Sequence, residues 1–274
     1  MFAVSNCSKV SNTDQLPDSF TTFLSNPLLP LRDLQTFRHK SFAKLWAKYG
    51  SAMSVEMPKG TTELMNIASG TVLEVGPGTG TQLHLFDPSK ITKMYGVEPA
   101  IDMHPELIKN AEKYGFKGKY EIIAAGAEVT SLIPALAKRG LLSKSQDGSY
   151  ESAGVFDTVV CVRVLCGVPD EAQTVEGLYA CLKPGGRMLI CEHVVNPWPN
   201  GGSLIATFLQ RIYMLMGWSF WLGGCCLDRD TENILMDVAK DDGGWEKVQI
   251  RLIDSYAAIP FIVGELVKKN KLAT

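Results

Sequence analysis

The run Leu73-Glu74-Val75-Gly76-Pro77-Gly78-Thr79-Gly80 sets three glycines at alternate positions directly after an apolar stretch. Glycine carries no Cβ, so such a turn lets a ligand approach the backbone closely. A nicotinamide-binding fold would prefer Gly-x-Gly-x-x-Gly, with a pyrophosphate against a helix N-terminus. The third glycine of that pattern would fall on Thr81. Glu74, inside the preceding strand, also suits a cationic ligand better than a diphosphate. Glu98 ends a second apolar stretch, 18 residues after Gly80. A carboxylate there can accept hydrogen bonds from both hydroxyls of a ribose. Together the loop and Glu98 specify an adenosine-containing ligand. The bland alternatives are a tight strand-to-helix turn and an exposed acid.

Other residues could serve a reaction. His193 closes the segment Cys191-Glu192-His193-Val194, and imidazole is the side chain best suited to act as a base near neutral pH. It could equally be a hydrogen-bonded structural residue. The other histidines are His39, His84 and His104, and His84 lies just beyond the glycine loop. Cys225-Cys226-Leu227-Asp228-Arg229 forms a second cluster. No second ligand pair has zinc-site spacing, so no metal is expected, and the segment reads as a turn against a substrate pocket. Cys225 and Asp228 are its substrate candidates, although Asp228 could instead cap the helix that follows. Tyr213 and Trp221 are candidates from the apolar stretch 203–222, and Arg163 could bind an acidic group or pair with a carboxylate.

Elements of alternating type must position these groups. Strands are expected at 71–75, 93–98, 120–125, 155–162, 187–194, 245–253 and 260–267. Helices are expected between them, near 100–114, 128–140 and 170–182. Alternation of this kind gives a parallel sheet with helices on both faces and a site at the carboxyl ends of the strands. Residues 1–35 read as a flexible leader, and 36–274 as a single domain that includes N-terminal helices. Phe42, Leu45, Trp46, Tyr49 and Met53 share helical spacing in that cap. Residues 141–153 read as a polar surface insertion, and 203–222 as a lid helix with one buried face or a patch that touches membrane.

The chain has 274 residues, 27 basic and 29 acidic, for a formal charge of -2. This balance gives no broad attraction to nucleic acid and suits a small-molecule enzyme. Seven cysteines without a framework point to a reducing, cytoplasmic compartment.

With these motifs the chain resembles the class I S-adenosylmethionine-dependent methyltransferases. The Val97-Glu98-Pro99 segment and the Leu182-Lys183-Pro184-Gly185-Gly186 turn share in the likeness. The resemblance implies a Rossmann-like, doubly wound α/β sheet of seven strands with an N-terminal helical cap, and S-adenosyl-L-methionine as cofactor. It implies that Gly76, Pro77, Gly78 and Gly80 cradle the methionine part, and that Glu98 and Pro99 hold the ribose. Gly126, Ala127 and Glu128 would flank the adenine, Glu128 standing where the family usually has Asp. Val162 and Arg163 would pass beneath the cofactor. Tyr49 would close over the carboxylate or be a core aromatic.

Three segments are closer to the alkyl thiol methyltransferases of the methyltransferase-like seven group: Ile122-Ile123-Ala124-Ala125-Gly126, Val160-Cys161-Val162-Arg163-Val164-Leu165-Cys166 and Cys191-Glu192-His193-Val194. So is Gly224-Cys225-Cys226-Leu227-Asp228-Arg229-Asp230-Thr231. Members of that group begin with an apolar membrane anchor, which residues 1–35 lack. Methyl transfer from a sulfonium is an in-line displacement that depends chiefly on alignment. A thiol, a few per cent ionised at neutral pH, needs little base. The expected reaction is methylation of a small apolar acceptor, and the resemblance implies a thiol as the preferred one. Oxygen or nitrogen methylation of a secondary metabolite, or cofactor binding without transfer, are the alternatives, and a nicotinamide oxidoreductase is a more distant one.

Overall fold

A computed structural model describes residues 18–55, 57–144, 150–151 and 154–270. In chain order its helices and strands are α1 (Asp18–Ser25), α2 (Leu29–Arg32), α3 (Leu34–Val55), α4 (Thr61–Met65), β1 (Gly70–Val75), β2 (Ile91–Val97), α5 (His104–Lys113), β3 (Tyr120–Ile123) and α6 (Val129–Lys138). They continue through β4 (Ser143–Lys144), β5 (Tyr150–Glu151), β6 (Phe156–Val162), α7 (Glu171–Cys181) and β7 (Leu182–His193). The last are α8 (Leu204–Leu215), α9 (Trp218–Trp221), α10 (Thr231–Asp237), β8 (Lys247–Ile253) and β9 (Phe261–Val267).

The main sheet has seven strands in the order β3-β2-β1-β6-β7-β9-β8. β1 lies between β2 and β6 in parallel register, so the order reverses there, and a crevice opens beyond its carboxyl end. The strands are apolar on both faces, as a sheet covered on both sides requires. Leu73, Val75, Val159, Cys161, Met188 and Ile190 face one way, against Leu132, Leu136, Val175 and Leu178 of α6 and α7. Val72, Val160, Leu189 and Cys191 face the other way, against Met65 of α4 and Leu107 of α5. Local signals set the ends of the helices. Asp170 accepts the Gln173 amide at 3.0 Å to start α7, and Ser203 accepts the Ala206 amide at 3.3 Å to start α8.

Four expectations are corrected. The sheet is mixed rather than parallel, because β9 runs antiparallel to both β7 and β8. A connection too short for a helical crossover joins β8 to β9, so the pair can only be a hairpin. The leader does not extend to residue 35: α1 and α2 precede α3, which carries Asp33 and Thr36 hydrogen-bonded across its start at 2.5 Å. Residues 1–17 lie outside the described residues. The 203–222 stretch is two helices, broken where Gly217 takes φ +86°. The insertion contains a short antiparallel pair, β4 with β5; residues 145–149, 152 and 153 lie outside the described residues.

Candidate active site

Two groups of residues meet at the carboxyl ends of β1, β6 and β7. The first is the glycine loop. Gly76, Gly78 and Gly80 have φ of +60°, +59° and +74°. The left-handed region strains any residue with a Cβ. At Gly78 a Cβ would also lie 2.7 Å from Nε1 of Trp46, and at Gly76 one would lie 2.5 Å from Val164. α3 and the loop after β6 therefore press directly on the glycine backbone.

Carboxylates hold this loop from below. Glu74 is fully buried and accepts from Gln82 Nε2 at 3.0 Å and from the Tyr120 hydroxyl at 2.6 Å. Burial pushes its carboxyl up to about 7, against those two hydrogen bonds. Both its oxygens are engaged with protein groups, so Glu74 braces the loop from the core. Glu98 accepts the Gly78 amide at 2.9 Å and the Ala100 amide at 2.8 Å. Burial raises its pKa, and the Ala100 and Gly78 amides oppose the rise. Glu98 is thus fixed at the end of β2 beside the loop it was paired with from sequence, while Pro99 is exposed.

The adenine candidates follow β3. The Gly126 amide donates to Ser131 Oγ at 3.0 Å, and the Glu128 carboxylate folds back over Gly126. Ala127 is buried and Glu128 half-buried. Val162 is buried at the end of β6. Arg163 has φ +54°, and its guanidinium lies over the Phe261 ring at 5.9 Å and donates to Met57 Sδ at 2.9 Å. An aromatic ring and a thioether are thus among its partners.

The second group centres on sulfur. His193 is 8% exposed, its Nε2 lies 3.5 Å from Cys225 Sγ, and its Nδ1 is buried without a partner among the described residues. Trp218 Nε1 donates to Cys225 Sγ at 3.1 Å. Cys166 packs against Cys225 and Leu227, with Tyr213, Met214, Trp218 and Leu222 around them. The Cys166 thiol and His193 both donate toward Cys225 and lower its pKa despite burial. Burial disfavours the charged ring of His193, and its contacts with Cys225 outweigh that and raise its pKa. Glu192 binds the two groups together: one oxygen accepts the Val164 and Leu165 amides at 2.9 and 3.0 Å.

Several sequence candidates fall elsewhere. Tyr49 is half exposed with Lys48 Nζ 5.2 Å from its ring, whereas Trp46, nearly one turn earlier, is the aromatic at the glycine loop. Asp228 is exposed, and the residue at the N-cap of α10 is Asp230. Trp221 is 50% exposed and meets Phe220 edge-on at 4.7 Å. Tyr213 stacks on Trp218 at 5.5 Å, and both pack against the cluster that holds Cys225. His84 is exposed and bonded to the Thr81 carbonyl at 2.8 Å. A cleft of about 1050 Å³ also opens between α3 and α5, lined by Thr79, Met103 and Asn110. It shares Thr79 with the glycine loop and includes none of Glu98, Glu128 or His193.

A methyltransferase domain family matches residues 49–227, which span the glycine loop, Glu98 and Cys225. The chain belongs to this family. The methyltransferase has the class I, Rossmann-like fold of the S-adenosylmethionine-dependent enzymes. It is 28% identical over 167 residues to thiol S-methyltransferase TMT1B of Homo sapiens, covering 60% of this chain and 58% of that one. It is 26% identical over 232 residues to methyltransferase OMS1, mitochondrial, of Saccharomyces cerevisiae, covering 82% and 46%. A ubiquinone biosynthesis O-methyltransferase of Xanthomonas euvesicatoria is 29% identical over 152 residues, covering 56% and 54%. The chain spans about half the length of these curated relatives. Among solved structures, an O-methyltransferase family 2 protein from Planctomyces limnophilus superposes with a TM-score of 0.54 at 14% identity, covering 86% of this chain and 65% of that one.

Sequence reasoning about this methyltransferase missed Trp46 and Cys166. Trp46 was visible only as one member of an apolar helical stripe, and Cys166 only as part of an apolar strand end. Trp46 Nε1 is buried without a partner among the described residues, beside a backbone that a Cβ would obstruct. An indole N–H in that position fits a ligand with a carboxylate or other acceptor at the glycine loop.

Proposed function

We propose that this chain transfers a methyl group from S-adenosyl-L-methionine to the sulfur of a small apolar thiol. The observation that carries the acceptor class is the enclosure of His193. The one histidine at the end of β7 is buried and turned to Cys225. An alcohol or phenol would need a base at the reacting oxygen. A thiol ionises on its own near neutral pH. The likeness to a human thiol S-methyltransferase supports the same reading.

S-adenosylmethionine supplies an electrophilic methyl on a sulfonium. In our reading Gly76, Gly78 and Gly80 bring bare backbone against its methionine part, and Trp46 Nε1 donates to its carboxylate. Glu98 accepts from the ribose hydroxyls on its remaining lone pairs, and Gly126, Ala127 and Glu128 flank the adenine. Val162 and Arg163 form the floor. Tyr213, Met214, Trp218 and Leu222 receive the apolar body of the acceptor and exclude water. Their contribution is alignment rather than proton transfer.

Residues 36–274 would act as one catalytic unit, with α8 and α9 as a lid. Arg38 of α3 donates to the Ser219 carbonyl at 3.1 Å and so ties that lid to the N-terminal cap. The outer side of α8 exposes Ile205, Phe208 and Leu215 at 72%, 62% and 86%. Such a patch suits peripheral contact with a membrane that stores apolar acceptors. Among the described residues no helix is long and apolar enough to cross one. Flotation with phosphatidylcholine vesicles checks this: recovery with the lipid should vanish in Phe208→Ser.

The decisive test is labelled S-adenosylmethionine with a panel of thiols, phenols and amines between pH 6.5 and 9. Label should pass to thiols, with kcat/KM rising about tenfold per pH unit below the acceptor's own pKa. Faster turnover of a phenol than of any thiol would overturn the acceptor assignment.

A further inference from the structure

The spacing of cysteines along the chain offers no second ligand pair, yet the fold assembles three soft ligands from distant segments. Cys166 follows β6, His193 ends β7 and Cys225 follows α9. Their ligating atoms all lie within 4.8 Å of one another. The geometry points to a zinc site made by Cys166 Sγ, His193 Nε2 and Cys225 Sγ, with its fourth position open to an acceptor thiol.

The Cys225 to His193 separation suits a tetrahedral ion. Zinc bonds of about 2.3 Å to sulfur and about 2.0–2.1 Å to nitrogen leave those two ligands about 3.6 Å apart at a tetrahedral angle. The Cys225 Sγ to His193 Nε2 separation is 3.5 Å. Two thiolates and an imidazole are a borderline-soft set that selects zinc over magnesium or calcium.

The ligands are also held in place independently of any ion. The Cys226 amide donates to the Cys166 carbonyl at 2.8 Å, which joins the two cysteine segments. Arg229 clamps the Cys166 turn through the Leu165 carbonyl and, at 2.5 Å, the Val168 carbonyl. Glu192 fixes the start of the same turn through the Val164 and Leu165 amides. The His193 ring packs edge-on against Phe261 at 5.7 Å. Trp218 Nε1 donates to Cys225 Sγ, the kind of outer hydrogen bond that orients and tunes a metal-bound thiolate. Cys226 is not a fourth ligand, because its thiol turns to the Gly224 carbonyl at 3.4 Å. Binding would displace the protons of the thiols to solvent and leave both sulfurs on the ion as thiolates.

Three protein ligands and one open position are the arrangement of reactive zinc rather than structural zinc. A thiol bound there would be held as a thiolate without any side-chain base. This last step rests on the thiol reading above; the metal site does not.

The test is zinc content by plasma mass spectrometry on full-length protein purified without chelator, followed by cobalt substitution. Wild type and Cys226→Ser should each carry about one equivalent, and Cys166→Ser and Cys225→Ser less than about a tenth of that. Cobalt should give tetrahedral visible bands and sulfur-to-metal charge transfer, and added alkyl thiol should shift them. Because the serine variants could fail to fold, wild-type protein is also stripped with chelator and reloaded; its Tm should fall and then recover. Wild type without zinc, cobalt bands or a chelator-sensitive Tm overturns the metal site, and thiol methylation by that metal-free protein would show the acceptor assignment standing without it. Cobalt bands that added alkyl thiol leaves unchanged overturn the open fourth position.

Discussion

The two ends of the proposed active site are built by different means. At the donor end nearly everything is backbone and carboxylate. Gly76, Gly78 and Gly80 take left-handed φ, Glu98 accepts two amides, and Glu74 braces the loop from a fully buried position. At the proposed acceptor end the groups are sulfur, imidazole, phenol and indole, drawn from residues 166, 193, 213, 218 and 225. The donor must be recognised by every member of such a fold, and a short loop after β1 suffices to do it. The acceptor end is assembled from segments that meet only after the chain has folded, so it can change without disturbing donor binding.

Gly78→Ala should break this division most severely. Its new Cβ would sit at φ +59° against Trp46. Strain of about 1–3 kcal/mol is expected, with at least a 100-fold loss of affinity for S-adenosylhomocysteine by calorimetry, about 2.7 kcal/mol. Near-ultraviolet dichroism from Tyr213 and Trp218 should stay unchanged.

Glu74→Gln tests whether the donor end carries a buried charge. Folding raises this carboxyl from 4.5 to about 7. The folded state therefore binds the proton more tightly than the unfolded one. The stability so gained is full below pH 4.5 and is lost as the pH rises through 7. In the variant that slope should disappear. Its stability relative to wild type at pH 8 should improve by on the order of 2 kcal/mol in urea titrations. Equal pH slopes in the two proteins would refute the buried charge.

A smaller effect is expected from Trp46→Phe, which keeps the ring and removes the donor. The KM for S-adenosylmethionine should rise about fivefold, the worth of one hydrogen bond near 1 kcal/mol. The KM for the acceptor should not move. A change in both would mean that α3 serves the two ends together.

What the sequence made legible follows the same division. The glycine loop, Glu98 and the strands β1, β2, β6 and β7 are local signals, each contained within about ten residues, and their places in the fold agree with the reading. Trp46 and Cys166 were not legible because nothing local marks them: each matters through a contact with a residue far away in the chain. His193 and Cys225 were singled out separately, and only the fold brings them to 3.5 Å. The α8–α9 break was not read from the sequence, where the apolar run 203–222 hid the turn at Gly217, which takes φ +86°. The antiparallel edge was missed because alternation of strands and helices says nothing about a final hairpin.

That hairpin bears on how the sheet is completed during synthesis. β9 is last in the sequence but lies inside the sheet, between β7 and β8. Until it emerges, β7 presents a bare row of amides and carbonyls along its full length, a ready template for another chain. Pairing at such sequence distance is slow. Glu265, 6% exposed, marks the correct occupant of the slot: it takes Arg187 of β7 at 3.0 Å and Lys247 of β8 at 2.6 Å. An apolar strand from a neighbouring nascent chain would make neither ion pair, so Glu265 favours β9 for that slot.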